Sequence, residues 1–532
     1  MMREKALAFF ISLIGAGMVL SAGPAGTVRP DTYTLQFSTY FGSYEDCHDP
    51  NKICYKDDYG AYAGCRGMAV DAQGNVYLAG STWRDGWPTT QGAYDRTWHG
   101  DSDMAISKWS PDGKLIWSTL IGSAGHDRPY TVKVDKAGFV YVAGLGSVGM
   151  PTGSTSYQPK PLYHLDNTPK PHEHYTGSNG YVAKLTPDGS KVVWGSYVGN
   201  ALGIRDLALD DEGNIYMTLE WDSNAAVRTI PESWFAHAFC KTPHGQQDVG
   251  IIKVSSDGSK VLWASFIGGS NGNRGNASIA VGPDHCPVLF MGTHSKDMPT
   301  TPGAFSSAPD SAWLGKLSAD GSKLLFGTYI GDKEDAGSIT HDVALDPHGN
   351  VYVACTVVGN WPVTPGAFQT KFGGGKSDWG IAKFSPTGKL LAATYLGGSG
   401  DEVNGPDTIS VDQQGNALIT GAYLLTSLDY PVTPGCFQPK HGGGPSDGVV
   451  SLLSSDLSTL IYSTYMGGSG YDALRANAFA ADGSFYVAGH SVSPDWPTKN
   501  AYQNDFKGQA PNGIVFAKFK RVQSAAGNAG GR

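Results

Sequence analysis

Seven times along the chain a glycine-bearing turn runs into a short Val/Tyr-rich stretch, as at Asp71 to Gly80 and Asp346 to Cys355. The other copies are Asp135 to Gly144, Asp210 to Leu219, Gly282 to Gly292, Asp412 to Gly421 and Ala480 to Gly489, roughly 63 to 75 residues apart. A period of that length marks one supersecondary unit stacked on its own copies, because a single unit cannot bury its apolar face. A second motif follows the turn: Ala105 to Gly122 recurs as Gly250 to Gly268, Gly315 to Gly331, Gly380 to Gly397 and Val449 to Gly467. Each copy reads as two strands joined by a tight turn. With a strand on either side of the first turn, every repeat supplies four antiparallel strands, A to D, and four strands repeated radially make a propeller blade.

The last copy, Ile514 to Phe519, stops after strand C, while Leu35 to Gly42 is a lone strand D matching Ile461 to Gly467. The expected fold is therefore an all-β, seven-bladed β-propeller of four-stranded antiparallel blades, with the N-terminal strand completing the last blade. Such closure removes the open edges on which β-arrays aggregate. The 72 Gly and 31 Pro fit a chain of many turns.

Met1 to Lys5 is charged, Ala6 to Leu20 apolar, and Ser21 to Gly26 small. That order is the pattern of a secretory signal peptide, and the run is short of the ~20 apolar residues of a spanning helix. The organisation expected is a signal peptide at 1–26, a propeller at 33–520, a disordered tail at 521–532, and no membrane span in the mature chain. Secreted, periplasmic or cell-surface placement follows. A formal charge of −9 gives no basic footprint, so nucleic acid is not an expected partner.

Of seven cysteines, Cys47, Cys54 and Cys65 crowd one insertion. In an exported chain they are disulfide candidates, Cys47 with Cys54 or Cys65, although spacing does not fix pairing. Cys355 takes a position that is Gly in other copies and reads as a small buried residue.

The Gly-Asn-Val-Tyr turns, Trp361 to Phe368 with its relatives Met298 to Phe305 and Tyr430 to Phe437, and Tyr465 to Asp472 together resemble the bacterial SBBP-type β-propeller repeat family. The resemblance implies an exported or surface-associated propeller and brings no catalytic set with it. Gly199 to Gly203 in blade 3 and the missing turn Asp of blade 4 depart from the pattern.

Repetition separates structure from function: a residue present in every blade serves the blade, and one peculiar to a single blade is free to serve a ligand. Asp103, Asn179, Asp248, Asp378 and Asp447 open strand C and read as capping groups. Lys108, Lys184, Lys253, Lys316, Lys383 and Lys518 are likewise repeated, and Trp117, Trp194, Trp263, Phe326 and Tyr462 read as packing between blades. At the fifth residue before the A–B turn the pattern breaks into Arg66, Tyr130, Arg205, Ala277 with Asn276 beside it, His341, Asp407 and Arg475. These residues should ring one mouth of the central channel, with the long B–C loops Ser147 to Gly180 and Glu220 to Asp248 above it. Guanidinium forks suit carboxylate, sulfate or phosphate groups.

His172 and His174 form a His-x-His pair that would hold zinc or copper if its loop turned both rings inward. Calcium suits an Asp-rich exported propeller, but no spacing fixes a site and no cofactor is firmly implied. Trp87, Trp361, Tyr430 and Trp496 read as loop anchors or sugar-stacking rings. No Gly-x-Ser-x-Gly elbow, phosphate-binding loop, His-Glu-x-x-His or Cys-x-x-Cys-His motif is present. The first functional reading is a non-enzymatic scaffold for an extracellular protein or glycan. The alternative is a polysaccharide-degrading enzyme, lyase-like, in which Arg205 or Arg475 neutralises a uronate carboxylate and His341 or Tyr130 takes the α-proton.

Overall fold

The computed structural model describes residues 32–42, 64–161, 179–199, 201–220, 231–245, 248–271, 277–331, 340–403, 405–421, 424–505 and 513–522. The side chains of Thr340 and His341 are not among those described. The expected leader at 1–26 lies outside these residues, as do Cys47, Cys54, His172, His174 and Asn276.

Seven four-stranded antiparallel sheets follow one another around a ring. Blade 1 comprises Gly67–Val70, Val76–Thr82, Asp103–Trp109 and Leu115–Ile121. Blade 7 takes Asp472–Phe479, Phe485–Ser491 and Gly513–Val522, and its outermost strand is Thr32–Phe41 from the other end of the chain. That strand pairs antiparallel with the C-terminal one from Thr32↔Val522 to Phe41↔Ile514. Strand A of blade 7 also lies against strand A of blade 1, so the ring is closed. A two-stranded ribbon, Glu402–Val403 with Leu424–Leu425, is added beside blade 6. Among the described residues the one helical turn is 3-10, Glu232–Phe235, and no helix is long and apolar enough to cross a membrane.

Strand B of every blade is buried on both faces, which is why these strands read as near-continuous Val/Tyr/Ala runs instead of alternating ones. The core lies between blades. Phe37, Tyr486 and Phe516 of blade 7, for example, share a cluster with Val76, Leu78 and Trp109 of blade 1. At the rim a ring from strand D of one blade sits on the glycine of the next blade's C–D turn. Phe37 meets Gly113, Trp117 meets Gly189, Trp194 meets Gly258, Trp263 meets Gly321 and Phe326 meets Gly388, each glycine at positive φ. A side chain there would collide with the ring, so glycine is required twice over. In the sixth case sizes are exchanged: Leu457 holds the left-handed turn position at φ 58°, and the strand D residue facing its blade is Ala392.

The repeated polar residues tie each blade to itself. The turn carboxylate Asp71 accepts the backbone N–H groups of Gln73 and Asn75, and Asp135, Asp346 and Asp412 repeat the bond. In blade 4 Asp284 takes over, with His285 at φ 57° where other copies have Gly. Lys253 and Lys316 reach Asp210 and Asp284 at 3.2 and 2.6 Å, and Lys108, Lys184, Lys253, Lys383 and Lys518 also lie over a strand B Tyr ring. The strand C carboxylates Asp103, Asp248, Asp378 and Asp447 each accept an N–H from their B–C loop: His99, His244, Gly373 and Gly442.

The B–C loops differ from expectation. Their described parts run down the outer edge of strand D, pairing with it in blade after blade: Leu120 with Asp95, Tyr197 with Gln158, Phe266 with Cys240, Tyr395 with Gln369 and Tyr465 with Gln438. These parts cover the unpaired edge that strand D would otherwise present, while residues 162–178 and 221–230 of the two longest loops lie outside the described residues. Trp87, Trp361, Tyr430 and Trp496 are buried as their anchors, Trp496 donating to Ser38 Oγ at 2.9 Å. Cys65, expected as a disulfide partner, is a free buried thiol that donates to the Gly67 carbonyl, and burial pushes its pKa up to about 12. It fills apolar core space beside Met68, where a bridge would pull it out. Cys355 is a buried small residue.

Candidate functional site

Strand A lies at the axis, and in four blades its regular pairing with strand B is broken by one extra residue. The shifts fall between Pro129 and Thr131, Ile204 and Asp206, Thr340 and Asp342, and Leu474 and Ala476. The residues left over are Tyr130, Arg205, His341 and Arg475. A bulge releases a residue from the ladder and re-aims its side chain. Arg66 and Asp407 stand directly before strand A in blades 1 and 6, each donating its N–H to strand B, to Ala79 and Thr420. The polar positions found by counting back from the turn are therefore the points where each innermost strand enters the sheet.

Tyr130 is the centre of the described site. The guanidinium carbons of Arg205, Arg128 and Arg66 lie 4.8, 5.1 and 5.5 Å from its ring centre. Arg205 is held by Glu220 at 2.5 Å, and Arg475 by Asp407 at 3.2 Å. Four guanidinium groups thus share a largely buried mouth with two carboxylates. Burial acts most strongly on Arg66, and Arg475 and Arg128 add to it, lowering its pKa well below the usual guanidinium value. Burial pushes the Tyr130 phenol up, but Arg205, Arg128 and Arg66 together outweigh it and hold the group below the ordinary tyrosine range. His490, fully buried and stacked on Tyr471, is held down to about 3 by burial and then by Arg475 and Arg66. Neither of its ring nitrogens makes a hydrogen bond.

Below the mouth the strands are stitched by polar side chains. Asp206 accepts Ile279 N–H at 3.0 Å and Thr131 Oγ1 at 3.1 Å, and Asp342 accepts Ile409 N–H at 3.1 Å. Asn477 donates to the Thr408 carbonyl and Thr420 Oγ1. Burial, then the charge of Asp206, raises Asp342 to about 7, with Lys133 opposing. A cationic rim thus stands over an acidic waist.

Of the expected ring, Arg66, Tyr130, Arg205, Asp407 and Arg475 come together here, while the Asn276 and His341 side chains lie outside the description. Sequence reading missed Arg128, Glu220 and His490. Glu220 and His490 occupy the same position of strand B, opposite Gly203 and Ala473. Among the described residues one trio of possible metal ligands occurs, Asp210, Glu212 and His285, on the opposite face. Its Asp210 is already engaged by the Asn214 N–H at 2.8 Å and by Lys253.

Residues 116–149 match the family model of the SBBP β-propeller repeat. That stretch is similar to an SBBP repeat. The matched stretch runs from strand D of blade 1 through strands A and B of blade 2, so it contains Arg128, the Tyr130 bulge and the loop between blades. No curated protein matches the chain. Among solved structures, a protein of unknown function from Dyadobacter fermentans is 12% identical, with 92% of this chain and 99% of that one covered at a TM-score of 0.38. BamB from Moraxella catarrhalis is 11% identical over 85% of each chain, with a TM-score of 0.34. The quinohemoprotein alcohol dehydrogenase ADHIIG from Pseudomonas putida is 11% identical over 93% of this chain and 77% of that one, with a TM-score of 0.40.

Proposed function

We propose that this chain is an exported propeller scaffold that holds an acidic extracellular partner, a glycan or the acidic side chains of a protein, at the mouth of its central channel. The observation that carries the reading is the convergence of Arg66, Arg128 and Arg205 around Tyr130, with Arg475 close enough to act on Arg66, against the two carboxylates of Glu220 and Asp407. Cations that repel one another in a partly dry site gain most from an entering anion, and planar guanidinium groups favour carboxylate or sulfate. The charged end of strand B at Glu220 fixes the Arg205 fork.

Binding to polyuronate, sulfated and neutral glycans is the test, run beside an Arg205→Gln, Arg475→Gln double variant across a salt series. Selective binding to the acidic polymers that weakens with salt and falls at least ten-fold in the variant supports the reading. Equal binding by both forms, or binding to neutral glycans alone, removes the mouth from the function.

Tyr130 favours a second reading at the same site, a lyase. A phenol held below its ordinary pKa beside arginines is suited to take a proton α to a cation-bound carboxylate. Appearance of unsaturated uronate products with the native chain, and their loss in Tyr130→Phe with binding retained, would move the assignment to catalysis. Binding without cleavage leaves the scaffold.

A further inference from the structure

Where blade 5 meets blade 6, two carboxylates from different blades face one point. Asp378 opens strand C of blade 5, and Glu402 lies in the Gly397-Gly-Ser-Gly connection that leads to blade 6. Both are fully buried. Asp378 spends Oδ2 on the Gly373 N–H at 2.6 Å, and Glu402 spends Oε1 on the Gly398 N–H at 3.3 Å. The other oxygens, Asp378 Oδ1 and Glu402 Oε2, are buried with no hydrogen-bond partner. They converge: a Cβ placed on Gly397 would lie 2.6 Å from the first and 2.7 Å from the second. Among the described residues neither carboxylate has an ion-pair partner.

A buried carboxylate oxygen without a donor is costly, and two that face each other are relieved either by a cation between them or by a shared proton. The related junctions show the contrast. Asp127, at the corresponding place between blades 1 and 2, has its oxygens taken by the N–H groups of Ser147 and Ser123 and the Ser123 hydroxyl. Asp472, between blades 6 and 7, is taken by Ser491, Ser493 and the Gly468 N–H. The strand C carboxylates of those two junctions, Asp103 and Asp447, also keep Oδ1 unclaimed, but their partners Asp127 and Asp472 are satisfied; among these three junctions only Asp378 and Glu402 both keep an oxygen unclaimed.

We propose that Asp378 and Glu402 bind a divalent cation, calcium by the hardness of an all-oxygen set, which staples blade 5 to blade 6. Hard carboxylate oxygens without His or Cys select calcium over zinc or copper, and calcium tolerates the irregular geometry of a loop site. Tyr430 stands close enough for both charges to act on its phenol. It therefore provides an optical probe, because an aromatic ring beside a calcium site sensitises bound terbium.

The full mature chain, stripped with a chelator, is titrated with calcium and with terbium. The expected results are terbium emission on exciting the aromatic residues, competed by calcium, and a rise in melting midpoint on adding calcium. Glu402→Gln should weaken terbium binding about ten-fold or more and abolish the calcium-dependent rise. Asp210→Asn, which alters the acidic trio on the opposite face, should leave both intact. No sensitised emission and no calcium-dependent stabilisation of the native chain would overturn the proposal and leave a shared proton between the carboxyls. A calcium response that survives in Glu402→Gln and vanishes in Asp210→Asn would overturn it in favour of the other face. If Glu402→Gln does not fold, Asp378→Asn provides the same comparison, and the native titration alone still decides whether the ion binds.

Discussion

Arg205 and Glu220 show how a single pair controls the mouth. Both side chains are mostly buried, so removing the guanidinium leaves a carboxylate in low dielectric with its partner gone. Arg205→Ala should therefore destabilise the fold by about 3 kcal/mol in chemical denaturation, and adding Glu220→Gln should recover most of that loss without restoring anion binding. A stability unchanged by the single substitution would show the pair to be solvated. The same residues mark how far the mouth could be read beforehand. Arg66, Arg205, Asp407 and Arg475 stood out because they break a repeated pattern at one counted position. Arg128 did not, because it lies two residues earlier, beyond the point where the bulge ends regular alternation. Glu220 and His490 escaped because strand B reads as a buried run, and nothing in such a run tells which end opens on the axis.

At the scale of the strand and turn, the contact of ring on glycine is the rule that joins blade to blade, and its exception offers a test. Gly321→Ala places a methyl group 2.5 Å from the Trp263 ring in a left-handed turn, and should cost about 3 kcal/mol or more. In the junction where Leu457 faces Ala392, Ala392→Trp alone should be strongly destabilising. Combined with Leu457→Gly it should recover, because the pair then has the composition of the other junctions. Thermal melts of the two single variants and the double variant measure the coupling, and strict additivity would refute the exchange. The strand order was legible because Asp-Gly turns and Val/Tyr runs recur with fixed spacing. The path of the B–C loops was not, since Trp-Pro-Val-Thr-Pro-Gly-Ala-Phe states a turn and its anchor without stating that the segment folds down along strand D.

For the whole molecule, burial of carboxylates sets the response to acid. Burial is the leading cause in each case, and it raises Asp127, Asp342 and Asp447 to about 7, Asp378 to about 6 and Glu402 to about 9. A carboxyl whose pKa is higher folded than unfolded adds stability below the unfolded value near 4, and that stability is lost as pH climbs through the folded value. His490, with a folded value of about 3, acts in the opposite sense between pH 3 and 6.5. Five groups outweigh one, so in chelator the melting midpoint should fall steadily from pH 5 to pH 9, each group contributing up to ~1.4 kcal/mol per pH unit between its two values. Glu402→Gln should flatten the alkaline end of that curve, and a midpoint that rises with pH would contradict the assignment.

The pairing of Thr32–Phe41 with Gly513–Val522 has a temporal side. A ribosome makes the strand at Thr32 before its partner at Gly513, so that strand waits through the synthesis of the blades between them before it has this neighbour. Until that moment blade 7 lacks its rim and the Tyr33–Phe485 ring contact is unmade. A chain stopped short of Gly513 holds nearly all the residues of a propeller, yet has neither the closing strand pair nor a place for its own beginning.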